Sequence, residues 1–291
     1  MTKTRIIKSI YPLTIKIINI SIQQQLQQFL FTQLLNLDRA NFTHFLSNNL
    51  PISLYRLPNI DAFTYRCAIA FQLSSHSPLS PLTLADTIFN TLQQQPNHPE
   101  ETLSLTFTLK LLDPGWLEFT LCDRSLSCWL QSWQIFPYPR KRFTQKSTTH
   151  DNLWPLQYTY ARCCTLLRLG EQEQLITLKN PLFPPYQWPL STSHSIPWSS
   201  LGLNQFERSL ISQMLLTVDR LLNESGSHEI KLALALSEHF LEFERHCRIF
   251  GATSRYKPQL SQARLGLVAI TQILLQGLWL SQTEQPPRHR L

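Results

Sequence analysis

Tyr158 and Arg162 stand four residues apart in the run Trp154-Pro-Leu-Gln-Tyr-Thr-Tyr-Ala-Arg. On a helix that spacing sets a ring and a guanidinium side by side, a pair suited to stacking on an unpaired base while holding its phosphate. A Tyr–Arg packing pair inside a helical bundle has the same spacing. Arg140-Lys141-Arg142, with Lys146 close behind, is a cationic run of the kind that meets polyanions. A solvated linker held extended by its own charge has the same composition. Gly115 permits a sharp backbone turn, and Trp116 directly after it either stacks on a base or packs against the protein.

Other constellations argue against a reaction centre. The seven glycines are scattered, with no Gly-x-Gly-x-x-Gly or Walker spacing to cradle phosphates. Ser74-Ser75-His76-Ser77 sets a hydroxyl beside an imidazole, but adjacent loop residues seldom meet in attack geometry, and no Gly-x-Ser-x-Gly elbow supports them. Glu171 and Glu173 follow Gly170, which reads as a helix cap ahead of ordinary solvated charges. Cysteines at 67, 122, 128, 163, 164 and 247 form no Cys-x-x-Cys pair and no spaced zinc pattern, so buried reduced thiols are expected. Cys247 reads as packing, since a free thiol behaves as a small hydrophobe. His239 and His246 fall on the same side of a helix but two turns, roughly 10 Å, apart, too far to share a metal. No cofactor and no metal is expected.

A chain of 291 residues with 43% hydrophobic content suggests two ordered domains, each able to bury a core. The formal charge of +7 is unevenly placed: residues 136–150 carry four Lys/Arg and no acid, whereas 151–291 carry 13 Lys/Arg against 11 Asp/Glu. No window approaches the unbroken apolar run of about 20 residues needed for a membrane helix. The expectation is a soluble, cytoplasmic chain without a membrane partner. Residues 1–37 hold Lys3, Arg5, Lys8 and Lys16 and no acid, a composition also found in organelle-targeting peptides.

The elements that must position these residues follow from periodicity. Ile22, Leu26, Phe29, Leu30, Gln33 and Leu37 predict one helix over Ser21–Leu37. Thr64–Leu73 has the β-branched and aromatic mix of a strand, and Ser80–Leu92 reads as a helix with Pro81 in its first turn. Leu103–Leu112 alternates, Asp113-Pro114-Gly115 turns, and Trp116–Leu121 continues as a strand, which predicts a hairpin on a small sheet. Trp129 and Trp133 read as core. Residues 136–150 lack any hydrophobic period and mark a boundary. Five prolines across Lys179–Pro197 forbid a helix there and predict an ordered surface excursion. Amphipathic periods over 155–169, 203–222, 229–250 and 262–280 predict a bundle.

Three stretches in chain order resemble one family. Residues 153–168 resemble the helix after the catalytic core of arginyl-tRNA synthetases, roughly Val-Gln-Tyr-Ala-His-Ala-Arg-Ile-x-Ser-Ile-Leu-Arg, with Gln157, Tyr158, Ala161, Arg162, Leu166, Leu167 and Arg168 in register. Lys231–Leu280, with Phe240-Leu-Glu-Phe-Glu-Arg-His-Cys-Arg-Ile and Ala263-Arg-Leu-Gly-Leu-Val, is similar to the helical anticodon-binding domain named DALR. Asp113-Pro-Gly-Trp-Leu-Glu-Phe-Thr-Leu is similar to the Gly-Pro-Gly-Phe-Ile-Asn segment of the N-terminal tRNA-binding domain, and the basic tail Pro286–Leu291 resembles the family's Pro-Glu-Arg-Met ending. The His-x-Gly-His segment and Lys-rich loop with which a class I synthetase holds ATP phosphates do not occur.

The resemblance implies an α+β protein: an N-terminal domain over 1–135, a basic junction over 136–152 and a DALR-type bundle over 153–291. It implies a non-catalytic tRNA-binding protein, with arginine tRNA the first candidate ligand. The alternatives are a protein-interaction module, or an accessory subunit serving a separate aminoacyl-tRNA synthetase. It places Tyr158, Arg162 and Arg248 near the anticodon loop and Trp116 near the tRNA elbow, with Arg140, Lys141 and Arg142 on phosphates. Arg264 is expected to bond to a neighbouring helix. The chain departs from the family at Glu244, where an aromatic residue is usual and a carboxylate is expected to repel phosphate, at Pro155, for which Trp154 can supply a ring, and at Leu291.

Overall fold

The computed structural model describes residues 6–17, 19–37, 51–94, 104–135, 153–180, 183, 187–191, 195–223, 229–283 and 285–290. Arg140, Lys141 and Arg142, and with them the predicted junction, lie outside these residues. The chain forms two compact units, Met1–Trp129 and Leu130–Leu291. A small antiparallel sheet with helices precedes a mainly helical part, so the α+β expectation holds.

The first unit contains β1 (Ile6–Lys16), α1 (Ile22–Leu37), β2 (Leu54–Arg56), β3 (Thr64–Cys67), α2 (Ile69–Ser74), α3 (Pro81–Gln93), β4 (Ser104–Leu112), β5 (Trp116–Leu121) and the start of α4 (Asp123–Ser132). The sheet order is β1-β4-β5-β3-β2, every pairing antiparallel. Alternation sends Leu105, Phe107, Leu109 and Leu111 of β4, and Leu117, Phe119 and Leu121 of β5, into the core. Ile22, Leu26, Leu30 and Leu34 bury one stripe of α1 at four-residue spacing, which fits the predicted helix.

The predicted hairpin is present. Gly115 closes it at φ +139°, and a Cβ there would come within 2.8 Å of the Pro81 carbonyl, so the turn needs both the backbone freedom and the missing side chain. Ser80 caps α3 by accepting from the Thr83 amide at 3.1 Å, with Pro81 in the first turn. The expected strand over Thr64–Leu73 stops at Cys67. Ile69–Ser74 turns helical because Ile69, Ala70 and Leu73 then share one buried face. Trp129 is fully buried and donates its indole N–H to the Ile20 carbonyl at 2.8 Å.

The second unit is a bundle of α5 (Trp154–Gln172), α6 (Gln205–Asn223), α7 (Glu229–His246) and α9 (Pro258–Gln282), with a short α8 (Ala252–Tyr256) between the last two. α9 runs through the centre and is buried along nearly all of its length. By length and composition it is apolar enough to cross a membrane, contrary to the expectation that no such window exists. Its Gln, Ser and Thr residues break the apolar run without adding charge. Its most apolar window is 89% buried inside the bundle.

Gly170 does not cap a helix. It lies inside α5, where a Cβ would approach Leu265 Cδ1 within 2.7 Å, so it sets the close passage of α5 over α9. The Pro-rich stretch after α5 is not merely superficial: Leu178 bridges Leu190, and Trp188, Leu190, Ile196 and Trp198 are buried. Among the cysteines, Cys67, Cys163, Cys164 and Cys247 are buried free thiols as expected, whereas Cys122 and Cys128 are half-buried. Burial pushes the Cys67 and Cys164 thiols up to about 12, which keeps them inert at neutral pH.

Candidate nucleic-acid interface

Two faces of α5 do different work. Leu156, Tyr160, Cys163, Cys164 and Leu167 are buried in the bundle, and the Tyr160 hydroxyl receives hydrogen bonds from Gln272 and Gln276 of α9 at 3.3 and 3.1 Å. Trp154, Tyr158 and Arg162, at successive four-residue steps, run along the other face. The Trp154 and Tyr158 rings are stacked, 5.5 Å between centroids and 13° between planes, and Trp154 is 63% exposed. An aromatic step thus opens to solvent beside a guanidinium, the arrangement that stacks an extra planar ring. Trp154 thus supplies a ring next to Pro155.

Arg162 is held by Glu244 of α7, with Nε and Nη2 at 2.6 and 2.5 Å from Oε1. That hydrogen bond raises the Arg162 pKa against the opposing effect of burial. Glu244 therefore occupies the guanidinium instead of standing as an isolated charge. Arg168 donates from Nη1 to the His289 carbonyl at 3.0 Å and lies over the Phe183 ring at 5.1 Å. Its buried Nε and Nη2 have no hydrogen-bond partner among the described residues.

The basic tail is docked, not frayed. The Gln157 side chain donates to the Arg288 carbonyl at 2.5 Å and accepts from the Arg288 amide at 2.9 Å, completing a two-bond clamp. This brings Arg290 to the mouth of a cavity of about 460 Å³ lined by Tyr158, Ala161, Arg162, Thr165, Arg168 and Arg290. With Arg162 paired to Glu244, the Arg168 and Arg290 guanidiniums and the Tyr158 phenol around this opening can take an anionic group together with a flat ring. Arg168, Arg290 and the clamp were not singled out from sequence as contacts. Their signal was the register of Gln157 and Arg168 with the family helix.

Arg248 is exposed just past α7 and is not among the residues lining this cavity. Its carbonyl accepts from Arg264 Nη1 at 2.6 Å, while Arg264 Nε donates to the fully buried Glu207 at 2.8 Å. Arg264 therefore bonds across helices as expected. Cys247 packs against Asn204, consistent with a structural thiol. His239 meets Ser209 and His246 stacks on Phe206, so the two imidazoles have separate partners.

In the first unit, Trp116 is half-buried and already engaged. Phe71 lies 4.6 Å from its ring, Tyr55 meets it edge-on at 6.3 Å, and the Arg66 guanidinium sits 5.7 Å from its centroid. Glu118 fixes Arg66 with an ion pair of 2.5 Å. Packing and an aromatic surface coexist here, since Tyr55 is 42% exposed beside the indole.

Over 134 residues, 45% of the chain, the sequence is 31% identical to arginine–tRNA ligase from Synechococcus sp. (strain JA-3-3Ab). The match spans about a fifth of the ligase, 21% of its length. No family model and no solved structure matches the chain. The chain carries an arginyl-tRNA synthetase-like region.

Proposed function

We propose that the chain is a non-catalytic tRNA-binding protein descended from an arginyl-tRNA synthetase, with the helical unit acting as a DALR-type anticodon-binding module. The observation that supports this best is the α5 face: the Trp154–Tyr158 stack, open to solvent, beside a cavity ringed by Arg162, Arg168 and Arg290. Aromatic stacking with neighbouring cations is the common chemistry of single-stranded RNA recognition. Arginine tRNA is the first ligand to try. The sequence contains no His-x-Gly-His segment and no glycine cradle for ATP, which supports binding without aminoacylation.

The test is fluorescence anisotropy of labelled arginine tRNA against the purified chain over a salt series, with arginine-dependent pyrophosphate exchange measured in parallel. Saturable binding that weakens steeply with salt, without exchange, is the expected result. Exchange activity would overturn the non-catalytic reading, and absence of tRNA binding would overturn the RNA reading. The Arg162–Glu244 pair favours a second reading, a protein-interaction module, because it removes a cation from phosphate contact. Weak, salt-independent tRNA binding would select that interaction module, and co-purification of a synthetase would select an accessory subunit in trans.

A further inference from the structure

The turn between α7 and α9 carries a surface that the α5 face does not use. Arg248, Arg255 and Lys257 are exposed, and none of their side chains has an ion-pair or hydrogen-bond partner among the described residues. Tyr256 between the last two is 83% exposed, the largest exposure among the large hydrophobic side chains of the described residues. From Arg245 to Thr283 the chain contains no Asp or Glu, so no acid of the turn or of α9 offsets these charges. Glu242 stands one turn back on α7 and is taken up by Arg245 at 2.6 Å, with His246 at 3.5 Å.

The turn is built, not slack. Gly251 enters α8 at φ +76°, a conformation open to glycine, and nothing lies within 4 Å of where its Cβ would be. Arg264 and Ser261 of α9 bond the carbonyls of Arg248 and Ile249 at 2.6 and 2.5 Å, pinning the base of the turn. The Lys257 amide bonds the Thr253 carbonyl at 2.8 Å, which closes the far side. Three exposed cations and an outward ring therefore lie along one pinned turn, residues 248–257. Holding an uncovered tyrosine and adjacent unpaired cations in place gives the fold no packing in return, whereas an RNA strand uses both: phosphates take the cations and an unstacked base takes the ring.

We infer that Arg255, Tyr256 and Lys257 extend the Arg248 position, already implied as an RNA contact by the family resemblance, into a second RNA-contacting surface that grips a phosphate backbone and stacks one unpaired base on Tyr256. The inference rests on the tRNA-binding reading and extends it. Glu244, which ties α7 to Arg162 of α5, lies four residues before Arg248.

The test uses the full chain and arginine tRNA. Replacing Arg248, Arg255 and Lys257 together by Ser is expected to lower the log-log salt slope by about 2 to 3 units, because each phosphate contact contributes roughly 0.7–0.9. Tyr256→Ala is expected to weaken binding about 5- to 150-fold, the equivalent of losing one base stack, and Tyr256→Phe to restore it. All four side chains are exposed, so unchanged melting temperatures are expected and exclude unfolding as the cause. An unchanged slope and affinity in these variants, with Tyr158→Ala still impaired, would overturn the second surface while leaving the tRNA reading intact. Failure of the unaltered chain to bind tRNA would overturn both. An unchanged tRNA slope with lost binding of polyglutamate would assign the turn to an acidic protein and end the RNA proposal.

Discussion

Glu244 Oε1 receives both Nε and Nη2 of Arg162, at 2.6 and 2.5 Å, across 82 residues of sequence. The carboxylate stands where a phosphate oxygen would stand if the guanidinium faced RNA. It is an internal competitor for the same donors.

Replacing Glu244 by Gln should therefore strengthen tRNA binding and raise the salt slope by just under one unit, since one more cation becomes free to displace counterions. Because the Arg162 side chain is 43% exposed, the pair adds little to stability, and the melting temperature should hardly move. Anisotropy titrations at several salt concentrations measure both effects. An unchanged slope would mean that Arg162 never meets phosphate.

Tyr158→Ala should cost an intact tRNA about 1–3 kcal/mol of binding and a tRNA without its anticodon loop much less. Tyr158 stacks on an exposed Trp154 and not on the core, so the variant should fold normally. Equal losses for both ligands at unchanged melting temperature would place its contact outside the anticodon loop.

Replacing Arg140, Lys141 and Arg142 together by Ala should lower the salt slope by roughly 2 to 3 units, as three phosphate contacts would. An unaltered slope would make the run a linker.

Gly266→Ala should destabilise the bundle by about 1–3 kcal/mol, the usual range for an overpacked core. Its Cβ would run into the Trp198 ring, 2.8 Å from Cζ3, and Ile196 Cγ2 at 3.0 Å. Gly170→Ala should cost less, because its nearest obstacle is the flexible end of Leu265. Thermal melts of the two variants should preserve that ranking, and the reverse order would contradict the packing.

Burial lowers the pKa of His239 below its ordinary 6.5, with Glu238 opposing the shift. The unfolded chain therefore takes up a proton near pH 6.5 while the folded chain resists until lower pH, so stability should fall as the pH drops below 6.5. His239→Gln should flatten the dependence of melting temperature on pH between 7 and 5. An identical slope would show that His239 is not responsible.

The sequence disclosed elements whose signals are local. The β4–β5 hairpin was readable because Leu105, Phe107, Leu109 and Leu111 alternate up to an Asp-Pro-Gly turn, and α3 because Ser80 and Pro81 announce its start. β1 was not, since Pro12 and two register irregularities break its alternation, features tolerated because it is an edge strand. The spacing of Tyr158 and Arg162 put them on one helix face without saying whether that face was open, which the exposed Trp154 stacked on Tyr158 shows. The partner of Arg162 was not, because nothing near Arg162 marks a carboxylate 82 residues away. The Gln157 clamp was hidden for a different reason: it bonds Arg288 through the backbone, whose donors and acceptors are the same for nearly every residue type.

The Tyr160 hydroxyl, shared between Gln272 and Gln276, has a geometric consequence for everything at the surface. A helix as apolar as α9 has many nearly equivalent ways to slide or rotate in a greasy sleeve, and packing alone discriminates among them weakly. Two amides one turn apart meeting a single oxygen accept one axial setting. Polar anchors of this kind select among arrangements more than they add stability. The setting so chosen carries to the beginning of α9, where Lys257 and Tyr256 emerge, and to α5, which carries Tyr158. A single buried oxygen atom thereby acts as the ruler that fixes how far apart the two proposed RNA-contacting surfaces stand.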